Sequence, residues 1–274
     1  MKAEKIQKIL KKGLKVTLQN KALCFLPGDR RPKKTVENTL LEKIQDVLKK
    51  YGRFYYFLIY GFSPVLPSPV WIKKRSELIN AYGEDKVILN LGSGPMHIVG
   101  RTDIINVDVF AYHEVDIVAD VTDLPIEDNS VDLIINTGLL EHVDEPKKVI
   151  QEMIRVLRDG GKVVCYLPFM VPFHAAPYDY YRWTILGAQK LFSEFYHIEI
   201  GIGSGPTSGM LYVLQEWLSI LLSFGSKTLH DILFLALMVI TAPIKMLDVL
   251  MVKLPYAEKI ASGFYVIGEK RLSL

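Results

Sequence analysis

The 274-residue sequence has little of three things on which many folds and sites depend: cysteine, histidine and long uncharged runs. Its two cysteines, Cys24 and Cys165, are too few for a disulfide framework and favour a reducing compartment such as the cytoplasm. The six histidines are scattered and no Cys/His spacing suits zinc, so no metal site is predicted. Lysines interrupt residues 1–21 throughout, and no signal peptide is therefore expected.

Long apolar runs are also missing, although residues 210–254 consist mostly of Leu, Ile, Val, Met and Phe. The longest uncharged piece there runs for thirteen residues, from Ile232 to Ile244. A helix that spans a bilayer needs about 18–20 residues. We therefore expect two helices, near 209–224 and 229–251, that lie in the membrane interface. Alternatively, they pack on the sheet or form a dimer contact.

Charge is unevenly distributed along the chain. Residues 1–75 hold 18 Lys and Arg against 5 Asp and Glu, a net charge of +13, whereas residues 76–274 hold 15 against 25, a net charge of −10. Such a split points to an anionic partner. Nucleic-acid modules usually show glycine-flanked aromatics or a recognition helix, and neither is present, so an anionic membrane surface is the expected partner and no nucleic acid is expected.

Apolar residues alternate with lysines at the start of the chain and suggest a basic amphipathic helix. They are Ile6, Ile9, Leu10, Leu14 and Val16, set among Lys5, Lys8, Lys11, Lys12 and Lys15. The alternative is an ordinary helix with a solvated, lysine-rich face.

The most informative motif is an apolar run that enters a glycine turn. Residues 88–91 read Ile-Leu-Asn-Leu, the turn is Gly92-Ser93-Gly94-Pro95, and Asp108 follows Gly92 by sixteen residues at the end of a second apolar run. Such a turn brings backbone close to a ligand, and an acid at the next strand end can accept both hydroxyls of a ribose. A dinucleotide-binding motif has a third glycine at the position that His97 occupies in this chain, so the turn is poorly suited to bind a pyrophosphate. S-adenosylmethionine (SAM) has a ribose and an adenine but no phosphate.

Residues 88–161 resemble the class I SAM-dependent methyltransferases, and in particular their type 11 branch. Besides the glycine turn, the matching parts are Val118–Pro125, Asn136–Val143 and the turn Arg158–Gly161. The resemblance implies a cofactor site formed by Asn90, Gly92, Ser93, Gly94, Asp108, Asp120, Val121 and Asn136.

The resemblance also assigns roles within this site. Asp108 would hold the ribose, Asp120 would accept from the adenine amino group, and the Val121 amide would meet a ring nitrogen. Asn90 stands where the family usually carries an acid. Taken singly, Asp108 could instead cap a helix and Asp120 could end a turn.

Alternating strands and helices predict a parallel sheet with right-handed crossovers. Strands are expected near 87–91, 104–109, 115–120, 131–136 and 162–168, with an antiparallel pair at 195–202 and 263–268. Helices are expected at 37–51, 75–83, 145–158 and 185–194. The predicted fold is α/β: a Rossmann-like class I methyltransferase with a mostly parallel seven-stranded sheet, helices on both faces and an apolar helical insertion before the last strand.

The predicted domain organisation has three parts. Residues 1–74 form a basic and apolar N-terminal extension, and residues 75–203 with 261–274 form the methyltransferase domain. Residues 204–260 form the apolar insertion, which is expected to lie at the membrane.

Candidate catalytic residues follow the fourth and fifth parallel strands. A hydroxyl acceptor needs its proton removed by a neutral histidine or a carboxylate, and His142, His174 and Asp179 are the candidates. His142 could instead cap the helix beginning at Asp144. Tyr181 and Arg182 are expected to bind substrate, although Asp179 and Arg182 could form only a local ion pair.

The segment 168–184 resembles one in bacterial membrane-associated methyltransferases of surface-polysaccharide synthesis, with its His-x-x-Pro-x-Asp-Tyr-x-Arg pattern. The predicted function is therefore O-methylation of a glycan, glycolipid or lipid-linked intermediate, at the inner face of the cell membrane. Two alternatives stand beside it: a quinone or lipid methyltransferase, and a non-catalytic methyltransferase-like module that assembles at the membrane.

Overall fold

The structure, a computed structural model, describes residues 2–26, 61–95, 98, 100–174 and 177–272. The helix predicted over 37–51 and the aromatic run at 54–60 lie outside the described residues.

One mixed sheet organises the fold. Its strands are β1 (Thr17–Gln19), β2 (Ala22–Cys24), β3 (Ile88–Leu91), β4 (Ile105–Asp108), β5 (Ile117–Val118), β6 (Val131–Thr137), β7 (Leu157–Pro168), β8 (Tyr196–Ser204) and β9 (Gly263–Glu269). Their order is β1-β2-β5-β4-β3-β6-β7-β9-β8. Strands β2 to β7 pair in parallel, whereas β9 runs antiparallel to both β7 and β8. The strand order and the crossover helices confirm the predicted Rossmann-like class I fold.

Helices cover both faces of the sheet, as predicted. Helices α1 (Lys2–Ile9), α3 (Pro146–Val156) and α4 (Ile185–Leu191) contribute to the larger core, and α2 (Pro69–Asn80) contributes to the core on the opposite face. Successive residues of the parallel strands alternate between these cores: Leu89 belongs to the first and Ile88 to the second. The parallel strands therefore read as continuous apolar runs because both of their sides are buried.

Several predicted boundaries differ from the structure. The helix expected at 75–83 spans Pro69–Asn80, because Ser68 Oγ accepts a hydrogen bond from Trp71 N at 3.1 Å and a proline occupies the first turn. The last parallel strand begins at Leu157, not near 162, because the chain leaves α3 in extended conformation and Val131 pairs with Leu157.

The seven-stranded sheet is the principal error of the prediction, because the described sheet has nine strands. The predicted basic helix ends at Ile9, and residues 17–24 form the hairpin β1–β2, with β2 paired in parallel to β5. Ile6 and Ile9 are buried in the main core. The start of the chain is thus part of the sheet domain, not an extension of it.

The apolar insertion forms helices α5 (Pro206–Leu222), α6 (Lys227–Thr241) and α7 (Asp248–Met251) between β8 and β9. The second predicted helix ends ten residues early, with Pro243 just beyond it. Asp248 fixes the start of α5 by accepting hydrogen bonds from the amides of Thr207 and Ser208, at 2.7 and 2.9 Å. Gly205 lies close beside it, and a Cβ there would lie on the Asp248 carboxylate.

No single helix of the described residues is long and apolar enough to cross a membrane. Residues Lys227–Thr241 and Ile244–Met251, which meet at a bend of 48°, reach the required length and composition only when taken together.

Candidate active site

The glycine turn after β3 lies against the end of β4. The amides of Gly92 and Ser93 both donate to Val107 O, at 2.9 and 3.2 Å. Gly92 has φ +67°, and a Cβ there would lie 2.8 Å from the Leu139 side chain, so both backbone conformation and space require glycine. Gly94 has φ +58° with open space where a Cβ would stand. The turn therefore presents bare backbone at the carboxyl edge of the sheet.

Asp108 ends β4 directly beside this turn. Its Oδ2 accepts from Gly94 N at 2.8 Å and its Oδ1 from Phe110 N at 2.9 Å, and the residue is only 7% exposed. Burial raises the pKa of the Asp108 carboxyl, although these amide hydrogen bonds oppose the rise. Each oxygen keeps a further lone pair for a ligand hydroxyl.

Two buried asparagines occupy the neighbouring strands and differ in how well they are satisfied. Asn90 Nδ2 donates to Asn106 Oδ1 at 3.0 Å, so its carboxamide links β3 to β4. Asn136, at 0% exposure near the end of β6, donates to Leu91 O at 3.5 Å, and its Oδ1 has no partner among the described residues. A buried acceptor of this kind calls for a donor.

The predicted adenine segment lies at the end of β5. Asp120 is exposed, and its Oδ1 accepts from the amide and the hydroxyl of Thr122, at 2.9 and 2.7 Å, which closes a local turn. The Val121 side chain is buried. The structure thus brings every predicted cofactor residue to the carboxyl ends of β3, β4, β5 and β6, which are neighbours in the sheet. Ligands in such sheets bind at this edge.

The loop from β7 to α4 is fastened by an ion pair. Asp179 binds Arg182 through both carboxylate oxygens, and its Oδ2 also accepts from His174 N at 2.7 Å. Burial would raise the pKa of Asp179, but the Arg182 and His174 hydrogen bonds outweigh it and leave the pKa lowered. Arg182 also donates to Val171 O and Pro172 O. Asp179, predicted for catalysis, and Arg182, predicted for substrate binding, therefore both hold the loop in place.

A shallow groove of about 290 Å³ opens on this loop, lined by Val171, Phe173, Asp179, Tyr180, Tyr181 and Arg182. Tyr181 donates to Asp144 O at 2.7 Å and stacks on Trp183, with ring centroids 5.2 Å apart. Thr184 caps the start of α4, because its Oγ1 accepts a hydrogen bond from Gly187 N at 3.1 Å.

His142 and His174 lie together although 31 residues separate them in the chain. Their rings meet edge to face with centroids 5.2 Å apart, and both rings approach the carboxylate of Glu141. We call Glu141, His142 and His174 the Glu-His-His cluster. Burial raises the pKa of Glu141 to about 7 and lowers that of His142. Gly138 leaves room for the carboxylate, since it has φ +71° and a Cβ there would lie 3.2 Å from Glu141 Oε1.

The sequence interpretation missed two contributors to the site. Glu141 was overlooked because it stands beside His142 in an apolar motif, and its burial at 2% exposure is a tertiary property. Helix α5 belongs to the insertion that is predicted to lie at the membrane, and none of its residues is predicted for the site. It packs on the β7–α4 loop, where a Cβ on Gly209 would lie 3.0 Å from the Met170 Cβ. Burial raises the pKa of Tyr212, on the same helix, to about 12. The charge of Arg182 acts to lower this pKa and that of Asp179 to raise it, so Tyr212 lies close to the loop.

Fold and site together define a methyltransferase domain of the class I, Rossmann-like kind. In agreement, the family described as "Methyltransferase domain" matches residues 96–165. The chain is 30% identical over 124 residues to the demethylmenaquinone methyltransferase of Bacillus mycoides, covering 43% of this chain and 51% of that protein. It is 38% identical over 71 residues to a ubiquinone/menaquinone biosynthesis C-methyltransferase of Idiomarina loihiensis, covering 25% and 28%. The matches thus span about half or less of these relatives.

Solved structures of similar fold include Haemonchus contortus phosphoethanolamine N-methyltransferase 2 in complex with phosphomonomethylethanolamine and S-adenosylhomocysteine. It is 16% identical, with a TM-score of 0.47 and coverage of 85% of this chain and 59% of that one. A SAM-dependent methyltransferase of Thermotoga maritima is 12% identical, with a TM-score of 0.47 and coverage of 85% and 100%. At the level of the domain, the predicted enzyme class, a SAM-dependent methyltransferase, and the predicted cofactor, SAM, are confirmed by the family match.

Proposed function

We propose that the whole protein is a SAM-dependent methyltransferase that O-methylates a glycan, glycolipid or lipid-linked intermediate at the inner face of the cell membrane. The observation that carries this proposal is the gathering of a glycine turn, a buried acid and an unsatisfied amide at one sheet edge, beside a groove and the Glu-His-His cluster. The loop that lines the groove packs on helix α5, which belongs to a helical insertion with many exposed apolar side chains.

The cofactor edge fits the chemistry of SAM. Asp108 keeps lone pairs for the ribose hydroxyls, the open space at Gly94 admits a ligand beside the backbone, and Asn136 Oδ1 awaits a donor. Bound SAM supplies an electrophilic methyl group on a positively charged sulfur. The chain then has to orient an acceptor and take its proton.

The acceptor side combines polar and apolar surfaces. Tyr180, Tyr181 and Arg182 line the groove beside Phe173, whose side chain is largely exposed. Aromatic faces next to hydrogen-bonding groups suit a sugar or a polar head group. His142 and Glu141 provide proton acceptors next to this loop, which suits a hydroxyl acceptor.

The insertion supports action at a membrane. Its helices and connections leave large apolar side chains at least a third exposed: Met210, Val213, Leu214, Trp217, Ile220, Leu221, Leu222, Phe224, Ile232, Val239, Ile240, Ile244, Met246, Leu247 and Leu250. Apolar exposure of this extent is typical of membrane or protein contact. Exposed lysines at positions 8, 12 and 15 add attraction for an anionic surface. A peripheral location at the inner membrane face is therefore part of the proposal.

A quinone or other lipid acceptor is the second candidate. It is favoured by the names of the relatives from Bacillus mycoides and Idiomarina loihiensis, and by the apolar helix α5 beside the acceptor loop.

Labelled SAM, incubated with the protein and total membrane lipid, separates these candidates. We expect label in the polar, glycan-containing fraction, and label lower by about tenfold or more with the Asp108→Ala variant when SAM is kept below its dissociation constant. Label in the quinone fraction would support the second candidate. Calorimetry with SAM alone addresses the non-catalytic alternative, since failure to bind SAM would overturn the enzymatic proposal.

A further inference from the structure

Three acceptor groups of the Glu-His-His cluster converge without hydrogen bonding to one another. Glu141 Oε1 lies 3.8 Å from His142 Nε2 and 4.0 Å from His174 Nε2, distances too long for hydrogen bonds. Ligand atoms of the three residues lie within 4.8 Å of one another. Glu141 is 2% exposed, and its Oε2 has no hydrogen-bond partner among the described residues. A buried carboxylate left in this state calls for a proton donor or a cation.

The backbone fixes the orientation of both imidazoles. His142 Nδ1 lies 2.6 Å from Tyr178 O, and His174 Nδ1 lies 3.1 Å from Pro172 O. Because a carbonyl can only accept, each Nδ1 carries the hydrogen and each Nε2 keeps its lone pair. Metal-ligating histidines typically donate their second ring N–H to a backbone carbonyl or carboxylate in this way.

Arg182 does not reverse this assignment. Its Nη2 lies 3.3 Å from His174 Nδ1, but its two hydrogens already go to Asp179 Oδ2 at 2.6 Å and Pro172 O at 2.8 Å. The positive charge of the guanidinium is offset by its two-point pairing with Asp179. The cluster therefore faces a neutral ion pair and carries the negative charge of Glu141 when that residue is ionised.

We propose that His142 Nε2, His174 Nε2 and the Glu141 carboxylate bind one divalent transition-metal ion of the zinc type. Two histidines and one glutamate are a ligand set of zinc sites that keep a coordination position open for water or an oxygen ligand. With an ion bound, His142 and Glu141 would no longer accept a proton themselves, and the charge of the ion would instead ease deprotonation of a hydroxyl at the open position. Around a tetrahedral ion at 2.0–2.1 Å the ligand atoms would stand about 3.4 Å apart, so the cluster has to close by about an ångström. Glu141 Oε1, now 3.8 and 4.0 Å from the two Nε2 atoms, needs to approach each of them by only about half an ångström.

The test is a titration of the chelator-treated protein with Zn²⁺ alone, in which calorimetry measures the affinity and the number of ions bound per chain. In a second titration, the visible absorbance of Co²⁺ reports whether the bound ion has tetrahedral ligands. We expect one Zn²⁺ per chain in the wild type. His142→Gln and His174→Gln should each weaken binding by tenfold or more, as should Glu141→Gln. His230→Gln is the matched control, because His230 also lies near two carboxylates, 3.5 Å from Glu216 and 3.4 Å from Asp231, and should leave binding unchanged.

Folding and the proposed enzymatic function are followed separately. SAM affinity, measured on the same variants, should stay within about twofold of wild type, and circular dichroism should be unchanged. The metal proposal is overturned if Zn²⁺ fails to bind saturably, or if binding survives both histidine substitutions in folded protein. Loss of SAM binding by the wild type would count against the proposed function and not against the metal site.

Discussion

Two properties of Asp108 suit its predicted role as the ribose acceptor. It is buried at the carboxyl end of β4, and both of its oxygens already anchor backbone amides of adjoining turns. A hydrogen bond to a charged carboxylate contributes about 1.5–3 kcal/mol. Asp108→Ala should therefore weaken SAM binding by about tenfold to a hundredfold. Calorimetry with SAM measures the change.

Asp85→Ala serves as the control for this substitution, because Asp85 is exposed ahead of β3 and should leave SAM affinity unchanged. Thermal unfolding of both variants checks that the fold persists. Equal SAM affinity in Asp108→Ala and wild type would exclude Asp108 from ribose binding.

Asp179 acts through Arg182 and the His174 amide, so its removal should affect loop stability before chemistry. The Asp179 side chain is 1% exposed, and its loss leaves the guanidinium without its carboxylate. Breaking a buried ion pair costs about 3–5 kcal/mol of folding free energy. Because the Arg182 side chain is partly exposed, we expect the loss here to be about 3 kcal/mol or less. Asp179→Ala should lower the melting temperature and the turnover while SAM affinity changes by less than about twofold.

The exposed pair Lys148–Glu145 provides the comparison, since solvent screens it and Lys148→Ala should leave the melting temperature nearly unchanged. Unchanged melting of Asp179→Ala together with lost turnover would instead assign Asp179 a direct role at the substrate.

At the scale of elements, Asp103 ties helices α1 and α2 to the loop before β4. Arg101 binds its carboxylate through two nitrogens, at 2.7 and 2.8 Å, and donates to Ile79 O in the last turn of α2 and to Tyr82 O just beyond that helix. Lys5 of α1 adds a contact at 3.4 Å. The hydrogen bonds from Arg101 lower the pKa of Asp103 to about 2.

This lowered pKa predicts a pH-dependent stability. The unfolded carboxyl titrates near pH 4, so the stabilisation of about 2 kcal/mol is complete above that pH and is lost as the pH falls from about 4 through 2. Asp103→Asn should lower the free energy of unfolding by about 2 kcal/mol at pH 7, and the gap from wild type should narrow towards pH 2.5. Urea denaturation at both pH values measures this. A gap that is constant with pH would show that Asp103 is not a titrating contributor.

At the scale of the whole molecule, the insertion is separable from the cofactor edge. Ser204 pairs with Gly263 across β8 and β9, so an Asn-Gly turn in place of residues 205–262 would close a two-residue hairpin. All predicted SAM-binding residues precede the insertion. The shortened protein should keep SAM affinity within about threefold and should lose salt-resistant binding to anionic phospholipid vesicles, as measured by vesicle sedimentation and calorimetry.

The basic start of the chain should supply the salt-sensitive part of that binding, at about 1 kcal/mol for each exposed lysine near the surface. A variant in which Lys8, Lys11, Lys12 and Lys15 are changed to Gln should lose this salt-sensitive binding to vesicles. It keeps Lys5, which is buried and donates to Lys86 O at 2.6 Å. If the intact protein ignores anionic vesicles at low salt, the membrane proposal fails and the insertion serves as a substrate cap or a contact between copies.

The parallel core, the glycine turn and the acidic strand end are all predictable from short stretches of the sequence. These features are local: an apolar run bounded by glycine specifies a buried strand, and the spacing to Asp108 spans one crossover. The described strands β3 to β7 accordingly lie close to their predicted positions. The two apolar helices of the insertion were predictable for the same reason, since their composition is a property of a short window.

Contacts between segments that lie far apart in the chain depend instead on how the strands are ordered in the sheet. The hairpin β1–β2 joins the sheet because β2 pairs with β5, more than 90 residues away, and no local pattern specifies that pairing. His142, His174 and Glu141 converge because the ends of β6 and β7 are neighbours in the sheet. Spacing along the chain, which had indicated scattered histidines, carries no information about distances across a sheet edge, whereas strand order determines them directly.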